Sequence, residues 1–162
     1  MKKWIQAPYI DQTERYPTGC ESVSAVMLLH YLGIPITVDA FIDDYLEKAP
    51  VISRKGRLYG PDPFLSFAGS PYDAASFGCY APVIANALNR VFAAQKPEYL
   101  AKDITGMPVS KMLAQFLDRD MPVVFWASLD MKETVLGPKW QLPDGSVFTW
   151  RSNEHCMLLM GY

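Results

Sequence analysis

The 162-residue chain is half hydrophobic and 13% aromatic, which excludes an intrinsically disordered protein. Its formal net charge is -2, and its basic residues form no group longer than those at 2–3 and 54–57, so nucleic acid is not an expected partner. No apolar run approaches the ~20 residues that span a bilayer, and the start lacks the pattern of a signal peptide. We therefore expect one soluble domain over residues 1–162, either cytoplasmic or exported after loss of a signal peptide.

The clearest helix of the chain follows an extended segment and a polar turn at its start. Thr18 is a candidate N-cap, and Glu21, three residues later, completes a capping box before an apolar run that ends at Gly33. Cys20 falls in the first helical turn, where the helix dipole and free N–H groups favour the thiolate and lower the thiol pKa from about 8.5. Most free cysteines are buried as small hydrophobes, but this position predicts a nucleophile.

The next part of the chain combines a short helix with a long irregular segment. Thr37 is positioned to cap a helix over residues 38–47, whose apolar residues follow helical spacing. Prolines and glycines are frequent between residues 49 and 78, where we expect little regular structure. This segment would form either a wall of a binding cleft or a loop packed on itself. Its aromatic residues are Tyr59, Phe64, Phe67, Tyr72 and Phe77.

The second half of the chain carries further helices and most of the strand signals. Helical periodicity covers residues 80–94 and 109–117, and strand patterns cover residues 122–129 and 155–160. An Asp-Gly turn at residues 144–145, between two apolar runs, predicts a β-hairpin. Helices followed by strands predict an α+β fold.

The cysteines limit the kinds of site that the chain could hold. The chain has three cysteines, Cys20, Cys79 and Cys156, which lie far apart in the sequence. Their odd number and wide spacing exclude a disulfide framework. They also lack the paired spacing that zinc ligands show. No Cys-x-x-Cys motif supports a redox protein. Cys79 precedes a predicted helix, but no histidine lies near it in sequence, so we expect it to pack in the core. We expect no metal or organic cofactor.

The two histidines differ in context. His30 lies near the end of the helix that begins at Cys20, where we expect a structural role. His155 opens a hydrophobic strand, 135 positions after Cys20. In papain-type enzymes the catalytic histidine follows the cysteine by about 130–150 residues. His155 is therefore the candidate base for Cys20.

Three segments carry a resemblance to a known family. Residues 12–33, 78–82 and 154–162 resemble the stand-alone relatives of the bacterial bacteriocin-processing, double-glycine leader peptidases, within the papain-like cysteine peptidases. The most specific strings are Tyr-Pro-Thr-Gly-Cys-Glu-Ser and Glu-His-Cys, and the resemblance covers nearly the whole chain. It implies a papain-like fold, in which the nucleophile helix packs on a C-terminal antiparallel sheet.

The resemblance also implies a role for individual residues. Cys20 would be the nucleophile and His155 the general base that then protonates the leaving amine, while Gln12 would contribute to the oxyanion hole. Gln12 lies eight positions before Cys20, a longer spacing than is usual in papain. An Asp or Asn on a later strand should orient the imidazole, but the sequence ends at Tyr162. We expect the third group beyond Tyr162, from another residue, or not at all, as in a Cys–His dyad.

These roles predict a cysteine peptidase that hydrolyses a peptide or protein substrate through an acyl-enzyme. An acyltransferase could use the same dyad, with an amine in place of water. A third alternative is a catalytically inert papain-like module that binds peptides.

Overall fold

The computed structural model describes residues 2–162 as helices and strands of an α+β fold, which confirms the predicted class. The helices are α1 (Cys20–Tyr31), the one-turn α2 (Val38–Ala40), which continues as a π-helical turn (Phe41–Tyr45), α3 (Ala81–Gln95) and α4 (Val109–Gln115). Short 3-10 turns cover Leu117–Arg119 and Leu129–Met131. The strands are β1 (Lys48–Ala49), β2 (Ile52–Arg54), β3 (Arg57–Tyr59), β4 (Phe67–Ala68), β5 (Val123–Ser128), β6 (Leu136–Gln141), β7 (Val147–Arg151) and β8 (Glu154–Leu159).

Helix α1 packs on the antiparallel pair of β5 and β8, as the sequence predicts. The helix is apolar on nearly every side because it is covered on one side by this pair and on another by α3. Val26 and Leu29 on α1 are fully buried, as are Val91 and Phe41 on the elements around it. Burial of this kind stabilises the fold by roughly 1.5–3 kcal/mol for each large aliphatic side chain.

The start of α1 differs from the predicted capping box. Gly19 is the N-cap and makes no side-chain cap, while the Thr18 hydroxyl donates to the carbonyls of Ser70 and Asp73, at 3.1 and 3.0 Å. Thr18 is therefore used to fasten a neighbouring loop, and Glu21 is free to turn away from the helix end. The predicted cap at Thr37 is confirmed, since its hydroxyl accepts a hydrogen bond from the N–H of Ala40.

Residues 49–78 contain more regular structure than the sequence indicates. β2 and β3 form a hairpin, β1 pairs in parallel with β4, and β3 joins the sheet of β6 and β7. These strands are only two or three residues long, so no periodic pattern marks them. The hairpin of β6 and β7 was predictable, because Gly145 adopts the positive φ that its turn requires.

A second apolar cluster lies between the four-stranded sheet and the start of α3. Trp140 and Trp150 are its largest buried side chains, and Phe77 contacts both rings. The indole N–H of Trp140 donates to the carbonyl of Pro61 at 2.8 Å. This cluster joins the segment before α3 to the sheet and so fixes the position of residues 78–80. No helix in residues 2–162 has the length and apolarity that crossing a bilayer requires.

Candidate active site

The first turn of α1 lies along one edge of β8. The backbone N–H of Cys156 donates to the sulfur of Cys20 at 3.4 Å, and one turn later the hydroxyl of Ser24 donates to the carbonyl of Cys156 at 3.4 Å. Cys156 lies opposite Trp126 in the β5–β8 register, and its own polar backbone groups are directed at the helix. The strand that carries the candidate base is thereby held against the candidate nucleophile.

Glu21 is the most deeply buried charged residue of the site. Its side chain is 0% exposed, and its two carboxylate oxygens have different partners. Oε1 accepts from the N–H of Cys79 at 2.8 Å, and Oε2 accepts from the thiol of Cys20 at 3.3 Å. Gly78 makes this possible, because a Cβ at that position would collide with Oε1 of Glu21. A residue that the sequence assigned to a helix cap is thus part of the site itself.

A second carboxylate faces the same sulfur. Glu154 opens β8, and its side chain, that of Glu21 and the thiol of Cys20 each place a donor atom within 4.8 Å of the others. Oε2 of Glu154 is buried and has no hydrogen-bond partner among the described residues. The site therefore brings a thiol and two carboxyl groups close together, and none of the ion pairs within residues 2–162 involves them.

Burial and these carboxylates set the protonation of the site. Burial, followed by the charges of Glu21 and Glu154, raises the pKa of Cys20 above its ordinary value. Burial raises the pKa of Glu21 to about 7, and burial together with the charge of Glu21 raises the pKa of Glu154 to about 8. The prediction of a lowered thiol pKa is wrong for this arrangement, because burial, and after it the charges of the two carboxylates, outweigh the effect of the helix dipole. The thiol is protonated at neutral pH.

His155 lies on β8, one residue from the strand atom that contacts Cys20. It is partly buried, and burial lowers the pKa of its imidazole, which favours the neutral ring. Side chains alternate along a strand, so His155 points to the face opposite Glu154 and Cys156. Among residues 2–162 the partners of the Cys20 sulfur are Glu21 and the Cys156 N–H, and the expected thiol–imidazole hydrogen bond is not formed.

Gln12 lies in the turn that leads into α1. It is partly buried, and its backbone carbonyl accepts from the N–H of Tyr16 at 2.9 Å, which orders the approach to Gly19. Its role as an oxyanion donor stays a prediction. Within the described part of the chain, no Asp or Asn hydrogen-bonds to the imidazole of His155, and the third group also stays a prediction.

The sequence analysis missed Glu21 and Glu154 as members of the site. One signal was present: Glu21 stands inside a helix whose other early residues are small or apolar, so its side chain had no evident route to water. Glu154 lacked such a signal, because it follows three polar residues and is typical of a strand end.

A cavity of about 840 Å³ lies between α3, residues 99–107, α4 and β5, and neither Cys20 nor His155 lines it. Its walls are mainly apolar and include Phe92, Leu100, Met112, Val124 and Trp126. The indole N–H of Trp126 donates to the carbonyl of Cys79 at 3.0 Å, so the cavity and Glu21 contact the same residue. Of the aromatic residues predicted for a cleft wall, only Phe64 lines this cavity, while Phe67 and Phe77 pack inside the protein.

Comparisons with known proteins identify the family and the fold of the chain. The profile of the Peptidase C39 like family matches residues 4–162. A crystal structure from Bacillus anthracis, assigned by name to the C39-like peptidases, superposes with a TM-score of 0.82 at 22% identity and covers 100% of this chain and 78% of its own. A comparison with curated proteins found no match.

Proposed function

The chain belongs to the Peptidase C39 like family and has its papain-like fold, and we propose that it is a cysteine peptidase with Cys20 as the nucleophile. The observation that carries the proposal is the position of Cys20 at the start of α1, against the strand that bears His155. Papain-like chemistry needs these two elements side by side, since the base must reach the thiol from a neighbouring strand. The substrate is a peptide or protein.

The protonation of the site suggests how the thiol is used. Because the Cys20 thiol is protonated, a base must remove its proton as the sulfur attacks the substrate carbonyl. His155 is neutral and can accept that proton when its side chain turns towards the edge of β8, and it then protonates the leaving amine. Water then hydrolyses the thioester that remains on Cys20.

The oxyanion of the tetrahedral intermediate needs donors close to the sulfur. Cys20 is the first residue of α1, so its backbone N–H has no carbonyl partner within the helix and could donate to the oxyanion. Gln12, in the turn before the helix, would supply a second N–H. Two such donors stabilise the charge that develops on the substrate oxygen.

A second function is favoured by one observation. The Cys20 thiol is 7% exposed and hydrogen-bonded to a carboxylate, an arrangement that suits a packed residue as well as a nucleophile. An inert peptide-binding module would keep this arrangement and would bind a peptide without cleaving it. An acyltransferase would share the acyl-enzyme and differ only in the acceptor.

A peptide-library digestion with mass-spectrometric detection tests the proposal. We expect hydrolysed peptides, a covalent adduct on Cys20 at early times, and loss of both in His155→Ala. His30→Ala is the matched control, because that ring bonds to the carbonyl of Ile36 at 2.7 Å and lies at the other end of α1. Peptide binding without cleavage, with Cys20 no more reactive than a model thiol, would establish the inert module. Amide products formed only with an added amine would establish the acyltransferase.

A further inference from the structure

The contacts of Glu21 give it a part in the chemistry of Cys20 that no motif assigns. We propose that Glu21 is a positioning residue, which orients the Cys20 thiol and restrains its deprotonation. The inference rests on the proposed role of Cys20 as nucleophile. It goes beyond that role because it identifies the group that controls when the sulfur becomes reactive.

The carboxylate of Glu21 is fixed at both oxygens. Oε1 accepts a hydrogen bond from the N–H of Cys79, and Oε2 accepts one from the thiol of Cys20. The missing side chain of Gly78 leaves the space that Oε1 occupies. Since the whole side chain is buried, its carboxyl group stays next to the sulfur. The S–H bond is therefore directed at Glu21.

The groups around Glu21 supply no opposing charge. Cys20 faces it from α1, Cys79 and Tyr80 face it from the segment that opens α3, and Glu154 and Cys156 face it from β8. The ion pairs formed within residues 2–162 all lie elsewhere. No cationic side chain of the described residues therefore neutralises the two carboxylates. As the pH rises and both ionise, loss of the thiol proton becomes less favourable.

A structural role for Glu21 predicts a different behaviour. A glutamate that only fastens α1 to the residues before α3 needs its bond to Cys79 and nothing from the sulfur. Glutamine keeps that bond, because its carbonyl oxygen can occupy the position of Oε1. It removes the negative charge and offers an N–H to the sulfur in its place. Glu21→Gln therefore separates the two roles.

The experiment measures the rate of Cys20 alkylation by iodoacetamide between pH 5 and pH 10, with mass spectrometry of the peptide that contains Cys20. In Glu21→Gln we expect the midpoint of the profile to fall by about one to three pH units. Below about pH 6 wild type and variant should react at more similar rates, since Glu21 is then protonated. Glu14→Gln, which changes an exposed carboxylate just before α1, should leave the profile unchanged.

An unchanged midpoint in folded Glu21→Gln overturns the inference, and so does a failure of both proteins to react at any pH. If the variant does not fold, the wild-type profile decides: a midpoint above about 8.5, the ordinary value of a thiol, supports the inference, and a lower one overturns it. Alkylation needs no turnover of peptide. A shifted profile in a protein that cleaves nothing would thus reject the peptidase and retain the role of Glu21.

Discussion

Two helices of this protein begin beside a cysteine, and the two thiols have different surroundings. Cys20 is the first residue of α1, retains 7% exposure and lies against β8 and the carboxylate of Glu21. Cys79 precedes the N-cap of α3, is 0% exposed, and uses its N–H and carbonyl to bind Glu21 and Trp126. The same local signal therefore produces one thiol at the site and one residue that holds the site together through its backbone.

The largest effect should come from exchanging the two thiols for hydroxyls. Cys20→Ser should lower peptide cleavage by at least about a thousandfold, because the proposed nucleophile is lost. Cys79→Ser should retain most of the activity, since the contacts that it makes with Glu21 and Trp126 are made by its backbone. Initial rates on one peptide, with circular dichroism to verify folding, would measure the difference. Equal losses in two folded variants would contradict the assignment.

A smaller effect should distinguish the oxyanion donor from the thiol. Gln12→Ala should slow cleavage by about a hundredfold to a thousandfold, because the proposed oxyanion donor acts on the tetrahedral intermediate. The alkylation rate of Cys20 should change little, since that reaction forms no oxyanion. Gln6→Ala, at an exposed position earlier in the chain, is the matched control. If Gln12→Ala also slowed the alkylation of Cys20, Gln12 would instead have a structural role in holding the start of α1.

The carboxylate that links the two helix starts should make stability depend on pH. The pKa of Glu21 is raised from 4.5 to about 7, so the folded protein binds the proton more tightly than the unfolded chain does. The contribution of Glu21 to the free energy of unfolding is therefore fully present below about pH 4.5. It is lost as the pH rises from there through 7. The loss should be on the order of 3 kcal/mol. Urea unfolding at several pH values would show it.

Glu21→Gln is the control for this pH dependence, because glutamine has the shape of glutamate but does not titrate. Between pH 5 and 8 the free energy of unfolding should change less with pH in this variant, because Glu21 no longer contributes to the change. Glu154, whose pKa is also raised, would account for a slope that remains. An identical slope in both proteins would mean that Glu21 does not titrate in this range.

The smallest expected effect concerns Gly78, which leaves room for the side chain of Glu21 between the starts of α1 and α3. Gly78→Ala should destabilise the fold by about 1–3 kcal/mol, because the added methyl group collides with the carboxylate of Glu21 and approaches the ring of Trp150. In a background that already carries Glu21→Ala the cost should be smaller, since one of the two collisions is gone. Thermal or urea unfolding of the four proteins in this cycle would measure the coupling. Additive costs would show that Glu21 does not occupy the space beside Gly78.

The elements that the sequence predicted well are those with strong local signals. Helix α1 and the antiparallel strands β5 and β8 are long apolar segments, and the hairpin after β6 has an Asp-Gly turn. The parallel pairs β1–β4 and β3–β6 were missed because they depend on residues far away in the chain, such as Gln141 beside Tyr59. The β2–β3 hairpin is local, with Lys55 and Gly56 at positive φ in its turn, but its strands are too short to show a periodic pattern. The cap at Thr18 was wrong for a similar reason, since its hydroxyl finds two carbonyls about fifty residues later in the chain.

The sequence by itself determined that a helix begins at Cys20, that a strand begins near His155, and which family the motifs around them resemble. Each of these follows from neighbouring residues, whose spacing and turn chemistry act locally. Only the tertiary structure decided that Glu21 and Glu154 meet the sulfur of Cys20 and that the thiol keeps its proton. The physical reason is that desolvation and charge act through space, so the state of the thiol depends on residues that the chain brings together only when it folds.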